Sequence, residues 1–169
     1  MALLPIIVAP DPRLNVKCEN VDQVTDDLKQ LMDDMMETMY DAPGIGLAAP
    51  QVGVTKRIIV VDVSKGENDK APYKMINPEI IWHSDQVADY EEGCLSLPDQ
   101  YAQAKRPDKI HLRYMDPDGT EQNLKANGIL ATCIQHEIDH LDGKLFVDHI
   151  SKLRRNLIIR KLKKYKAAL

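Results

Sequence analysis

The chain has 169 residues, of which 44% are hydrophobic and 28% charged, a size and balance that suit one folded soluble domain. They exclude extended disorder, a collagen-like array and a long repeat. The formal charge is −4, but eight of the 22 basic residues and none of the 26 acids lie in residues 151–169, so an acidic body of net −12 carries a basic end suited to the body itself or to an anionic partner.

The first apolar stretch, residues 2–10, is too short to span a bilayer, contains Pro5 and has no basic start, so neither a membrane span nor a secretory leader is expected. Residues 25–40 read as a helix: Leu28, Leu31, Met32, Met35, Met36 and Met39 recur at three- and four-residue spacing. Thr25 is placed to cap it, Asp26 and Asp27 suit its first turn, and Pro43 with Gly44 ends it. The methionine stripe reads as core packing in preference to an adaptable binding surface.

Residues 44–49 (GIGLAA) satisfy the spacing G-x-G-x-x-A, but they follow a helix where a dinucleotide loop follows a strand, and Pro50 interrupts any helix after them. The glycines instead let a peptide-like backbone run alongside, and Gln51 adds an uncharged amide donor. A tight turn with a surface glutamine fits the segment equally well. Residues 57–63 form a β-branched run, and residues 74–82 give a second strand broken by Pro78. Residues 64–71 are polar and read as a loop. Residues 109–115 and 120–126 form a hairpin around Asp116-Pro117-Asp118-Gly119. Without regular βαβ alternation, the fold class is α+β with antiparallel pairing.

Residues 127–141 read as a second helix, with Asn127 at its start and Gly143 after its end. Ile129, Cys133, His136 and His140 share one face. A last helix spans residues 151–165, its apolar stripe formed by Leu153, Leu157, Ile158, Leu162 and Tyr165.

The second helix carries the chemistry. His136 and His140 stand one turn apart, so both imidazoles can reach one metal ion, and Glu137 can take a proton from a metal-bound water. The same five residues also describe a helix with two part-buried histidines. No acid follows Asp148, which excludes a far-downstream Glu ligand, and the elongated pattern H-E-x-x-H-x-x-G-x-x-H matches to Gly143 but fails at Phe146. Asp142, Asp148 and His149 stay open. Cys133 lies ~7.5 Å of helix rise from the ion's level and is a buried lining residue by this reading. Cys94, next to Gly93, offers a thiolate; with two imidazoles it leaves one position for water, the catalytic arrangement. Only three cysteines (Cys18, Cys94, Cys133) occur, an odd number that fits a reducing, cytoplasmic setting.

Residues 44–51 (GIGLAAPQ), 92–96 (EGCLS) and 135–143 (QHEIDHLDG), in this order, resemble the peptide deformylase family over nearly the whole chain. The resemblance implies removal of the N-formyl group from the methionine that begins new polypeptides, releasing formate. It implies antiparallel sheets packed around a central metal-binding helix, with a C-terminal helix. It makes residues 1–150 the catalytic domain and residues 151–169 a basic helix of the same domain. Cys94, His136 and His140 would hold Fe²⁺, with Ni²⁺, Co²⁺ or Zn²⁺ able to substitute. Glu137 would be the general acid and base, and Gln51 and the Leu95 amide would stabilise the oxyanion. Gly46 would pair with the substrate backbone, and Ile45, Tyr90, Ile129 and Cys133 would form an apolar methionine pocket. The substrate partner would be the nascent N-formyl-methionyl polypeptide, and the basic last helix suits ribosome contact; DNA is not expected as a partner. A zinc endopeptidase on the same helical motif and a non-catalytic RNA-binding module are the alternatives.

Overall fold

The computed structural model describes residues 2–64 and 70–169; the polar loop expected at residues 64–71 falls largely outside them. Among the described residues, three α-helices and seven strands follow one another as α1 (Asp26–Asp41), β1 (Gly46–Ala48), β2 (Ile58–Val61), β3 (Tyr73–His83), β4 (Val87–Cys94), β5 (Leu97–Pro107), β6 (Lys109–Met115), β7 (Glu121–Asn127), α2 (Gly128–Leu141) and α3 (Lys152–Ala167). All strand pairs are antiparallel. Five strands form one sheet in the order β1-β2-β3-β6-β7, and β4-β5 form a separate hairpin. No described helix is long and apolar enough to cross a membrane.

β2 explains how two helices share this sheet. Its four residues are all buried. Ile58 and Val60 pack with Met32, Met35 and Met39 of α1 on one face, while Ile59 and Val61 pack with Ile134, Ile138 and Leu141 of α2 on the other. Because successive strand side chains point to opposite faces, a strand buried on both sides reads as an unbroken apolar run. The methionine stripe of α1 is core, as its spacing predicts, and the Thr25 hydroxyl accepts from the Leu28 amide at 3.2 Å.

Three sequence expectations change. Pro78 does not break β3: it follows Asn77, whose φ is +52°, within a register irregularity between Ile76 and Glu79. Proline is tolerated at such a bulge, and the Asn77 side chain holds it by accepting from the Val21 amide and donating to the Val21 carbonyl, both at 2.8 Å. Asn127 occupies the cap position of α2 without a side-chain capping bond. In α3 only Ile158 and Leu162 of the predicted stripe are buried; they pack with Leu97, Ala102 and Phe146, while Leu153 is 73% exposed.

The far end of α2 is tied down. Gly143 has φ +76°, and a Cβ there would meet the Asn15 backbone at 2.8 Å, so only glycine lets the chain pass so closely. Arg57 donates to the Leu141 carbonyl at 3.1 Å and to Asp142 at 3.0 Å. The helix is thereby fixed in position relative to β2.

Candidate metal centre

The β4–β5 hairpin, absent from the sequence reading, brings the third donor to α2. Its ladder is regular from Val87–Pro107 to Gly93–Tyr101, then shifts register so that Cys94 pairs with Leu97. The shift leaves Leu95 and Ser96 as the tip and turns the Cys94 sulfur towards α2. Cys94 Sγ lies 3.3 Å from His140 Nε2. One donor atom each from Cys94, His136 and His140 lies within 4.8 Å of the others, so the three side chains converge on one point.

A polar layer holds these donors. His136 Nδ1 sits 2.9 Å from Glu92 Oε1, which leaves the other ring nitrogen on the side of Glu137. Glu92 accepts two bonds from Arg106, at 2.7 and 3.0 Å, and a third Arg106 nitrogen donates to Asp139 at 2.8 Å. Asp139 also contacts His149 at 2.7 Å. Burial alone would raise the Glu92 carboxyl, but the His136 and Arg106 bonds outweigh it and hold it below the usual carboxylate range. Around His136 burial disfavours the charged ring, yet Glu137, the Cys94 sulfur and Glu92 outweigh burial and raise its proton affinity well above that of a free imidazole. Surroundings that draw a proton to this nitrogen also draw a cation. For His140, burial and the neighbouring His136 act together, keeping the ring neutral as a ligand requires.

Glu137 is buried and its Oε1 finds no hydrogen-bond partner among the described residues. Burial pushes its carboxyl up to about 7. Gly46 of β1 faces it so closely that a Cβ there would stand 2.5 Å from Glu137 Oε2 and 2.9 Å from Cys133 Sγ. Gln51, 1% exposed, accepts from the Ala48 amide at 2.9 Å and donates to Ser96 Oγ at 3.0 Å and to Cys94 Sγ at 3.4 Å. The alternative of a surface glutamine is thereby removed.

Two cavities meet at this point. The outer one, about 260 Å³, has Cys94, His136 and Glu137 among its lining residues, with Gly44–Gly46 and Leu95 beside them and Tyr101 at its mouth. The inner one, about 100 Å³, is lined by Ile45, Tyr90, Ile129, Thr132 and Cys133 and shares His136 and Glu137 with the first. Every site residue picked from the sequence except Gln51 and His140 therefore lines one of the two cavities, and those two touch Cys94 from behind, at 3.4 and 3.3 Å. Cys133 stays out of the donor cluster, and burial raises its thiol far above the range where it would ionise.

Sequence reasoning passed over Glu92, Arg106, Asp139, Ser96 and Thr132. Glu92 sits inside a quoted motif but had no role there. Arg106 carried one faint signal: Ala102, Ala104 and Arg106 are buried alternately along β5, and a cation in that series calls for a buried acid opposite.

Comparison with known proteins gives a consistent result. The polypeptide deformylase family model matches residues 3–156. A peptide deformylase of Brucella suis biovar 1 (strain 1330) is 51% identical over 164 residues, covering 97% of this chain and 94% of that protein. The crystal structure of a peptide deformylase from Ehrlichia chaffeensis in complex with actinonin superposes with a TM-score of 0.92 at 43% identity, covering 98% of both chains. One from Legionella pneumophila gives 0.89 at 41% identity, covering 98% of this chain and 96% of that one.

Proposed function

The chain belongs to the peptide deformylase family, and from that premise we propose that Cys94, His136 and His140 hold one catalytic metal ion with Glu137 as its proton carrier. The protein is a metal-dependent hydrolase that removes the N-formyl group from the N-terminal formyl-methionine of newly made polypeptides, releasing formate. The supporting observation is the convergence of one sulfur and two imidazoles, within 4.8 Å, beside a buried carboxyl at the junction of two cavities. One thiolate and two imidazoles suit Fe²⁺, the ion we assign to the native enzyme, and also admit Ni²⁺, Co²⁺ or Zn²⁺. Bound there, the cation would supply Lewis-acid chemistry, easing proton loss from water and drawing charge from the formyl oxygen.

The chain's own groups do the rest. Glu137 takes the proton of the attacking water and returns it to the amine nitrogen as the C–N bond breaks; a carboxyl poised near 7 can do both. Negative charge grows on the formyl oxygen, where the Leu95 N–H and the Gln51 N–H now shared with Cys94 Sγ would act as donors, each worth roughly 3 kcal/mol. Gly46 pairs with the substrate backbone, and the methionine side chain enters the inner cavity between Ile45, Tyr90, Ile129 and Cys133. A site with little room beyond the carbonyl accepts hydrogen and refuses methyl, which favours formyl over acetyl.

Glu137→Ala is expected to keep its metal and lose roughly 10²–10⁴-fold in turnover of formyl-Met-Ala; retained activity would remove the residue from this role. Cys94→Ser is expected to weaken metal binding in a chelator competition, and an unchanged affinity would move the third donor elsewhere.

The free thiols of Cys18, Cys94 and Cys133, together with a substrate fresh from synthesis, support a cytoplasmic setting. For α3 we propose ribosome contact: Ile158 and Leu162 anchor it while Lys152, Arg154, Arg160, Lys161, Lys163 and Lys164 are exposed. Contact with RNA phosphates weakens steeply with salt. Replacing Lys161 and Lys164 by Glu should lower co-sedimentation with ribosomes at low salt, and equal sedimentation would exclude the contact.

A further inference from the structure

We propose that Thr132 is a specificity-determining residue whose hydroxyl donates a hydrogen bond to the thioether sulfur of the substrate's methionine. The inference rests on the reading of the inner cavity as the methionine pocket. Thr132 lies in the first half of α2, is 5% exposed and forms part of that cavity's wall. Its hydroxyl oxygen is buried without a hydrogen-bond partner among the described residues. A helical threonine commonly bonds the carbonyl four residues earlier; here that carbonyl belongs to Gly128, and no such bond forms.

Neighbouring polar groups are already engaged. Gln135 donates to the carbonyls of Pro107 and Ala131, at 2.9 and 3.1 Å, and the Cys133 thiol points to the Ile45 carbonyl at 3.5 Å. Glu92, which also lines the cavity, is taken by His136 and Arg106. Two side-chain donors of the pocket are left over, the part-buried Tyr90 phenol, which water can reach, and the buried Thr132 hydroxyl. A buried donor without a partner is unfavourable until an acceptor arrives. Methionine brings one, a sulfur that accepts weakly. Norleucine has the same length and shape with a methylene in place of the sulfur. The apolar wall therefore measures side-chain length, and Thr132 senses the heteroatom.

The test compares kcat/KM for formyl-Met-Ala and formyl-norleucine-Ala in the unaltered enzyme, Thr132→Val and Thr132→Ser. The expected methionine preference is about 3- to 10-fold, the range of one modest hydrogen bond. It should fall to near parity in the valine variant and persist in the serine variant. Thr132→Val should melt no lower than the unaltered protein, because the hydroxyl has no partner among the described residues to lose. An equal ratio in all three proteins, or a valine variant that melts several degrees lower, would overturn the proposal. Failure of the pocket reading would look different: the unaltered enzyme would turn over formyl-Gly-Ala as readily as formyl-Met-Ala, and both inferences would fall together.

Discussion

Helices α1 and α2 press on opposite faces of the same sheet, and their sequences solve that task in different ways. α1 buries a single stripe, with Met32, Met35 and Met39 fully covered, and gives its other face to acids and amides. α2 has the sheet on one side and the β4–β5 hairpin near the other, so ten of its fourteen residues are buried, among them Gln135, His136, Glu137 and His140. Flexible methionines can fill the first interface without polar partners. The second places polar groups in the interior, where His136 is bonded by Glu92, itself held by Arg106, and Gln135 by the Pro107 and Ala131 carbonyls. A helix enclosed on both sides keeps water from the reacting groups, and its stability depends on a network of charges.

The largest effect expected from this contrast concerns Gly46, where the sheet edge meets α2. In Gly46→Ala the new Cβ would collide with the end of the Glu137 side chain, a flexible group that can move aside, and at 2.9 Å with Cys133 Sγ, which a small shift relieves. Glu137 would move away from the substrate, however, and a displacement of about 1 Å can cost ~10²-fold in rate. Turnover should collapse while the melting temperature changes little; a fall in both together would mean that Gly46 serves packing alone.

Next come paired substitutions, one on each side of the sheet. Met35→Ala should destabilise by about 2–5 kcal/mol through the cavity it leaves, and Arg106→Met by about 3–5 kcal/mol through the acids it strands. The sizes overlap, but pH separates them. Glu92 and Asp139 are held below their ordinary values despite burial, Glu92 by His136 and Arg106, Asp139 by His149 and Arg106. Their contribution is present above the usual carboxylate range and lost as pH falls through the depressed values. In Arg106→Met the depression is relieved, so its deficit against the unaltered protein should shrink on acidification. The Met35→Ala deficit should stay constant. Denaturant unfolding at several pH values reads both, and parallel curves would show that the network adds no charge-dependent stability.

The same contrast explains what could be read in advance. α1 was visible in the spacing of Leu28, Met32, Met35 and Met39, because one-sided burial imposes a period on the sequence. α2 was visible through His136, Glu137 and His140, because metal chemistry imposes its own spacing. The β4–β5 hairpin was not: Glu92 and Arg106 occupy inward positions where an apolar residue would have marked a strand, so their pairing erases the alternation. Cys94 was found as a leftover donor and through its motif, while the register shift that aims it is a backbone feature with no residue signature. Thr132 gave no signal, since its unmet hydroxyl exists only once the surrounding walls are assembled.

The smallest expected effects lie at the two helix starts. Thr25 caps α1 with a bond to the Leu28 amide, so Thr25→Ala should destabilise by about 1 kcal/mol. Asn127 stands in the same position on α2 but makes no side-chain capping bond. Its backbone is held instead by the β6–β7 ladder, opposite Lys109, and the Gly128 amide donates to the Asp108 carbonyl at 3.1 Å. Asn127→Ala should therefore stay within about 0.5 kcal/mol of the unaltered protein. An Asn127→Ala loss equal to that of Thr25→Ala would mean that α2 relies on its own cap. A clearly smaller loss for Asn127→Ala follows if α2 is held by the strand that feeds it, an arrangement that fixes the start of the helix carrying His136 and His140.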